Sequence, residues 1–239
     1  MNEDRHRSGA PWRNFHGRLK GKALRPRQEE MLRDDLGALS PGAVSWDENP
    51  GRAPLDLGAR FPGREEVWLE IGFGGGEHMV AMAAAHPQVA LIGAEPYING
   101  VAMLLGKIRD AGVDNVAVHP GDVRDLFDVL PEASISRAFL NYPDPWPKAR
   151  HHKRRFVTAG HLQPLYRVLR PGALFRVATD IEDYVRQTLE EVPAAGFERV
   201  PQDIHRAWPD WPGTRYEAKA LREGRPPHYL TFRKPAAAE

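Results

Sequence analysis

The sequence predicts an α/β protein built on a mostly parallel sheet, and three observations lead to this class. Short apolar runs alternate with helix-like segments from residue 67 onward. Glycines follow the first apolar run directly, as at a tight turn from strand to helix. The 239 residues are 41% hydrophobic and 27% charged, which is ordinary for one globular domain with extensions.

The alternation also sets the order of the elements. Apolar runs predict strands at 67–71, 89–94, 116–119, 135–140 and 173–178, with two late strands at 197–200 and 229–232. Periodic apolar positions predict helices at 28–39, 77–85, 101–111, 161–169 and 181–192. Gly112 closes the third of these helices and Pro171-Gly172 follows the fourth, as expected at helix ends. In such a sheet, ligands bind beyond the carboxyl ends of the strands.

Composition divides the chain into four parts. Residues 1–27 hold eight Lys or Arg and two acidic residues, and we expect a mobile arm there. Residues 28–62 form a helix and a loop rich in Pro and Gly, residues 63–235 the main domain, and residues 236–239 a tail. The basic arm indicates either an anionic partner such as nucleic acid or a solvated tail, and this feature alone favours the tail.

Several classes are excluded by what the chain lacks. It has no cysteine, which rules out disulfides, thiolate metal sites and cysteine nucleophiles. No run approaches the roughly 18 apolar residues of a membrane span. The polar segment from Met1 to Arg7 is unlike a secretory signal, so we expect a cytoplasmic protein without membrane or metal partners.

The glycine loop after the first strand is a candidate ligand site. Gly72, Gly74 and Gly76 permit a tight turn and a close approach of ligand to backbone. The spacing fails the dinucleotide pattern, because its third glycine position is occupied by Glu77. Glu70 and Glu77 would repel a pyrophosphate but suit a cationic ligand such as S-adenosylmethionine, which carries an ammonium and a sulfonium.

Two further carboxylates follow the second and third strands. Glu95 comes about 20 residues after the glycines, where an acid can accept both ribose hydroxyls of a nucleoside cofactor. Asp122 follows Gly121 and can accept from an adenine amino group, although a simple turn explains it about equally well. With the glycines, these residues indicate a nucleoside-cofactor site.

A stiff loop follows the fourth strand. Prolines at 143, 145 and 147 fix their own φ angles and hold their neighbours extended. The loop therefore presents Asp144, Trp146 and Lys148 in fixed positions, which suits catalytic contacts better than a mere turn.

A basic run continues directly from this loop. Five of the eight residues at 148–155 are Lys or Arg, which predicts a phosphate-binding stretch beside the presumed site. The adjacent His151 and His152 do not converge on one metal ion, so no metal is expected. The stretch predicted to contact RNA consists of Arg150, His151, His152, Lys153, Arg154 and Arg155.

These motifs resemble the bacterial tRNA (guanine-N7-)-methyltransferases over roughly residues 60–234. The matching segments are Glu70-Ile71-Gly72-Phe73-Gly74, Glu95-Pro96-Tyr97, Gly121-Asp122, Pro143-Asp144-Pro145-Trp146-Pro147-Lys148, His151-His152-Lys153-Arg154-Arg155, Thr179-Asp180 and Thr214-Arg215-Tyr216-Glu217. The Pro-Asp-Pro-Trp segment with its basic tail is the most specific of them. The chain departs from the family pattern at Asn141-Tyr142, where we expect Phe or a similar residue.

The resemblance implies a Rossmann-like class I methyltransferase fold with a seven-stranded sheet and helices on both faces. It implies S-adenosylmethionine as cofactor and N7 of guanosine 46, in the tRNA variable loop, as target. Asp144 is then the catalytic residue. The implied cofactor contacts are Glu70, Gly72, Gly74, Glu95, Asp122 and Asp144. The implied substrate contacts are Lys148, Asp180, Thr214, Arg215, Tyr216 and Glu217. We expect a monomer, with a homodimer as the alternative.

Competing interpretations are a nicotinamide oxidoreductase, a non-catalytic RNA-binding module, and a methyltransferase for another RNA, a small molecule or a protein. The glycine spacing and the acidic loop disfavour the first, and the series of acids at strand ends disfavours the second. The basic run disfavours small or neutral substrates, which need no contacts to phosphates.

Overall fold

The computed structural model describes residues 13–236, and its centre is a seven-stranded sheet. The strands are β1 (Glu66–Ile71), β2 (Val89–Ala94), β3 (Val116–His119), β4 (Ile135–Asn141), β5 (Leu169–Thr179), β6 (Glu198–Arg199) and β7 (His228–Arg233). Their order is β3-β2-β1-β4-β5-β7-β6. The first five strands pair in parallel, and β7 runs antiparallel between β5 and β6. The predicted mostly parallel sheet is confirmed.

Eight α-helices surround the sheet within the described residues. They are α1 (Pro26–Asp34), α2 (Leu57–Arg60), α3 (Glu77–Ala85), α4 (Ile98–Ala111), α5 (Val123–Phe127), α6 (Ala159–Val168), α7 (Glu182–Ala194) and α8 (Arg215–Arg222), with one 3-10 helix at Ala149–Arg154. The sequence did not predict α2, α5 or α8, because they have only 4, 5 and 8 residues and so show no sustained periodicity. Within residues 13–236, no helix has both the length and the apolar character needed to cross a membrane.

The two faces of the sheet carry separate cores because strand side chains alternate between faces. Leu69 packs into the core shared with α5, α6 and α7, whereas Trp68 packs into the core shared with α1, α3 and α4. Both faces are covered by helices, and the central strands are accordingly buried almost throughout, as parallel sheets require.

The strand order reverses between β1 and β4. From β1 the chain proceeds outward through β2 and β3, and it then returns to place β4 and β5 on the other side. The loops that leave β1 and β4 therefore diverge at the carboxyl edge and open a crevice between them. Ligand binding is expected at this point of the sheet.

The segment 13–25 differs from the predicted mobile arm. It forms no helix or strand, yet it makes specific contacts with the domain. Arg13 forms ion pairs with Asp125 at 2.8 Å and Asp128 at 2.7 Å, and the backbone carbonyl of Leu19 accepts from the N–H of Ile98 at 3.1 Å. These partners lie far along the chain, so local composition did not reveal them. Residues 1–12 of the predicted arm and 237–239 of the predicted tail lie outside the described residues.

Candidate functional site

A cavity of about 1290 Å³ opens at the carboxyl edge, where the strand order reverses. Its walls include the glycine loop after β1, Glu95 after β2, Asp122 after β3 and the Asp144 loop after β4. Small-molecule sites typically measure roughly 300–1,000 Å³. The cavity therefore has room for a nucleoside cofactor and part of a second molecule.

The glycine loop forms the floor beside β1. Gly72 and Gly74 both line the cavity. Their φ angles are 68° and 55°, which residues with a Cβ atom rarely adopt. Lys107 Nζ donates to the carbonyl of Gly75 at 2.6 Å and holds the loop against α4. The loop thus exposes backbone to a ligand, in agreement with the turn that the glycines predict.

Glu95 joins the second strand to this loop. One carboxylate oxygen accepts from the N–H of Gly74 at 2.7 Å and the other from the N–H of Tyr97 at 2.8 Å. Burial raises the pKa of Glu95, although these two backbone N–H groups act in the opposite direction. Each oxygen retains lone pairs that can accept from a ribose hydroxyl.

Asp122 begins helix α5 as its N-cap. Its carboxylate accepts from the N–H of Arg124 at 2.9 Å and pairs with the guanidinium of the same residue at 2.5 Å. Arg124 in turn donates to the backbone carbonyl of Asn14, which also lines the cavity. Asp122, which follows β3, is therefore linked through Arg124 to the N-terminal segment at the cavity.

Glu70 lies behind the cavity wall, and its role as a direct cofactor contact stays a prediction. Its side chain is only 3% exposed, and it is not among the residues that line the cavity. Oε2 lies 2.8 Å from His78 Nδ1, and Oε1 accepts from Asn141 Nδ2 at 3.4 Å. The alternation of β1 turns Glu70 toward α3. Asn141 of β4 lies on the same face nearer the carboxyl edge of the sheet, and it lines the cavity.

The loop after β4 brings Asp144 to the cavity. Tyr142 and Trp146 adopt positive φ angles of 49° and 40°, so the chain turns sharply around the prolines. The Asp144 carboxylate is accessible and has no hydrogen bond or ion pair with any other residue among 13–236. Partial removal of water inside the recess raises its pKa. Asp144 is therefore the unengaged acid of the site.

Most of the basic run remains available on the surface beside this loop. The run forms a 3-10 helix at Ala149–Arg154. Lys148, Arg150 and Lys153 are exposed, and the guanidinium of Arg154 lies over the ring of Trp146 at 5.1 Å. His151 meets the edge of the same ring. His152 faces Asp183 at 3.0 Å, which leaves it less free than its neighbours.

Arg155, which was predicted to contact RNA, is buried in the structure. Its side chain is 0% exposed and donates inward to the backbone carbonyls of Pro145 at 2.9 Å and Trp146 at 3.3 Å. It also donates to Gln187 and pairs with Asp183 on α7 at 2.9 Å. The hydrogen bond from Arg155 to the Asp183 carboxylate lowers the pKa of Asp183. Arg155 fastens the Asp144 loop to α7, and its guanidinium is engaged by these partners.

The predicted substrate contacts separate into two groups. Arg215 and Tyr216 line the cavity, and Tyr216 covers Gly74. Lys148, Asp180, Thr214 and Glu217 do not line it. Thr214 instead accepts from the N–H of Glu217 at 3.1 Å and begins α8, so it positions the two residues that follow it.

The two acids of this group already have partners in the structure. Asp180 pairs with Arg225 at 2.6 Å. Glu217 accepts from the indole of Trp211 at 3.0 Å and from the hydroxyl of Tyr229. Either acid could still accept from a base, because an ionised carboxylate has about four lone-pair sites.

Three features of the site were missed from the sequence. The segment 13–18 lines the cavity, His78 holds Glu70, and Asn141 contributes a buried amide. The position of Asn141, immediately before the rigid loop, was the available signal for one of them. Residues 13–236 contain no group of three or more His, Asp or Glu side chains arranged to hold a metal ion.

Comparison with known proteins agrees with this geometry. The family described as "Putative methyltransferase" matches residues 64–230. A tRNA (guanine-N(7)-)-methyltransferase from Ruegeria sp. (strain TM1040) is 68% identical over 96% of this chain and 91% of its own length. One from Roseobacter denitrificans is 71% identical over 93% of this chain and 96% of its own length.

Solved structures share the fold at low identity. The 16S rRNA methyltransferase KamB superposes with a TM-score of 0.55 at 14% identity, over 72% of this chain and 89% of its own. A variant 16S rRNA (adenine(1408)-N(1))-methyltransferase from Catenulisporales acidiphilia, solved with its cosubstrate SAM, gives 0.52 at 16% identity, over 74% and 89%. The fold is that of Rossmann-like class I methyltransferases, and the sequence relatives show that the chain belongs to the tRNA (guanine-N(7)-)-methyltransferase family.

Proposed function

We propose that this protein transfers a methyl group from S-adenosylmethionine to N7 of guanosine 46 in tRNA, the reaction of EC 2.1.1.33. One observation carries the proposal. The glycine loop, Glu95, Asp122 and the unengaged Asp144 converge on one cavity, and exposed basic residues lie beside its opening. The names of the sequence relatives support tRNA as substrate and guanine N7 as target.

The residues present fit S-adenosylmethionine. Glu95 can accept from the ribose hydroxyls, Asp122 can accept from the adenine amino group, and the backbone of Gly72 and Gly74 is open to close approach. The unengaged carboxylate of Asp144 at the cavity suits a cofactor that carries two positive charges. When bound, the cofactor supplies an electrophilic methyl group on its sulfonium.

Guanine N7 has a free lone pair, so no proton must leave before attack. The protein's task is therefore to align the base with the methyl group and to stabilise the cationic product ring. Asp144 is suited to both because its carboxylate is unengaged and partly desolvated at the cavity. In this role Asp144 orients the guanine and stabilises its cationic product, and it takes up no proton from N7.

The substrate would be held on two sides. Arg215 and Tyr216 line the cavity and offer a guanidinium and an aromatic ring for the flipped base. Asp180 and Glu217 would select guanine by accepting from N1–H and the 2-amino group through the lone pairs that their present partners leave free. Lys148, Arg150, His151, Lys153 and Arg154 would contact the tRNA backbone.

The decisive experiment uses unmodified tRNA with guanosine or adenosine at position 46, each incubated with the enzyme and S-adenosylmethionine. Mapping of 7-methylguanosine should show one site in the first transcript and none in the second. Methylation that persists in the second transcript would overturn the position, and the absence of any methylated RNA would overturn the function. We also propose that the protein acts in the cytoplasm, on a tRNA substrate, and as a monomer.

A further inference from the structure

The indole of Trp211 holds the carboxylate of Glu217 from one side. Its Nε1–H donates to both oxygens of that carboxylate, and both distances are 3.0 Å. The hydroxyl of Tyr229 donates to Oε1 alone, so Oε2 keeps the larger share of free lone pairs. Together the shared N–H and the hydroxyl fix the plane of the carboxylate, and a glutamate side chain that is otherwise flexible is held in one orientation.

Trp211 can fix Glu217 because its own ring is held on several sides. The ring centroid lies 5.2 Å from that of His78, 5.5 Å from that of Trp208 and 5.7 Å from that of Tyr229. The rings meet at tilted or edge-to-face angles, and edge-to-face contact is an arrangement that aromatic pairs prefer. The backbone N–H of Trp211 also donates to the carbonyl of Trp208 at 3.0 Å, which closes a turn.

The loop that carries Trp211 is tied to the sheet by the residue before it. Asp210 pairs with Arg176 of β5 at 2.8 Å and with Arg137 of β4 at 3.2 Å. Burial acts to raise the pKa of Asp210, but the guanidinium groups of Arg176 and Arg137 outweigh it and lower this pKa. The position of Trp211 is therefore set by two neighbouring strands of the sheet.

We propose that Trp211 is a positioning residue for base selection, which orients Glu217 so that a free lone pair of its carboxylate meets a donor on the guanine edge. This rests on the proposed function, in which Glu217 accepts from the base. Glu217 follows Arg215 and Tyr216 on α8, and both of these line the cavity. A carboxylate that is fixed before the base arrives loses little side-chain entropy on contact, so the contact discriminates more strongly between bases.

The test measures base selection with three tRNA transcripts that differ only at position 46. Guanosine offers both N1–H and the 2-amino group, inosine lacks the 2-amino group, and 2-aminopurine lacks N1–H together with O6, while all three keep N7. Wild-type kcat/KM should favour guanosine over at least one analogue by about tenfold or more, and Trp211→Phe should reduce that preference by about fivefold or more. An undiminished preference in Trp211→Phe, or equal methylation of all three transcripts by the wild-type enzyme, would overturn the proposal.

Trp208 provides the matched control. It belongs to the same loop, and its Nε1–H donates to Thr231 Oγ1 at 2.9 Å rather than to Glu217. Trp208→Phe also removes one indole N–H from the same aromatic cluster, but it should leave the preference for guanosine unchanged. An equal loss of preference in both variants would assign the effect to a loosened loop and overturn the proposal. Because each preference is a ratio measured on one protein, a smaller folded fraction of a variant cancels from it.

A double-mutant cycle tests whether Trp211 acts through Glu217. In the Glu217→Ala background, Trp211→Phe should reduce the preference for guanosine no further. A further loss in that background would show that Trp211 acts by another route, and the proposal would fall. A wild-type enzyme that methylates none of the transcripts would refute the proposed function itself, which separates that failure from failure of the Trp211 contact.

Discussion

The burial of Arg155 gives a prediction that separates a structural cation from an RNA contact. Arg155→Met removes the guanidinium and retains an unbranched stem. It leaves the carbonyls of Pro145 and Trp146 without their donor and Asp183 without its buried partner. Removing one partner of a buried ion pair costs about 3–5 kcal/mol, and the lower end applies because Asp183 is 33% exposed.

A loss of about 3 kcal/mol should lower the melting temperature by roughly 6–12 °C for a domain of this size. Circular dichroism melts at neutral pH measure this directly. The matched control is Arg154→Met, whose guanidinium lies over Trp146 at the surface and whose removal should cost less than about 1 kcal/mol. In tRNA titrations, Arg154→Met should reduce the slope of log K against log salt concentration by about 1. Arg155→Met should leave this slope unchanged when it is measured at a temperature at which the variant is folded. A wild-type melting temperature together with a reduced salt slope for Arg155→Met would refute the assignment.

Three further predictions concern the cavity. Asp144→Asn should lower the single-turnover methylation rate by about 10²-fold. Because desolvation raises the pKa of Asp144, the wild-type rate should already fall with decreasing pH at values above the ordinary pKa range of aspartate. The Asp144→Asn variant should lack this fall. Identical pH profiles for the two proteins would argue against the role of Asp144. Arg13→Ala breaks the ion pair with Asp125 that holds the N-terminal segment over the cavity, and S-adenosylhomocysteine affinity should drop several-fold, roughly 1 kcal/mol; calorimetry that finds no change would mean that the segment does not support the site. Glu95→Gln leaves one acceptor oxygen for two backbone N–H groups, so S-adenosylhomocysteine should bind about tenfold more weakly in the same assay, and wild-type affinity would contradict the bridging function of this carboxylate.

The arrangement of Glu95, Asp122 and Asp144 could be predicted from sequence because it follows from topology alone. Each residue comes just after a parallel strand, and such strands end at one edge of the sheet. Glu70 stays a predicted cofactor contact, although the alternation of β1 directs its side chain toward α3. It precedes Ile71 at the end of β1 and faces the opposite side, where His78 takes up its carboxylate.

The other differences between the sequence-based predictions and the structure arise from contacts between distant parts of the chain. A run of basic residues contains no signal that one of them turns inward, because the acceptors of Arg155 include Gln187, 32 positions away. Arg13 finds Asp125 at a separation of 112 positions. Composition described the N-terminal segment as a free basic tail, and only the folded domain supplies the acids that hold it.

The anchored proline loop also affects the thermodynamics of tRNA association. Prolines 143, 145 and 147 narrow the conformations open to the unfolded chain, and Arg155 ties the loop to α7 in the folded one. The basic side chains that follow are therefore carried on backbone that is already ordered before any RNA arrives. Association then loses little backbone conformational entropy at this loop, and more of the free energy of the phosphate contacts remains as affinity.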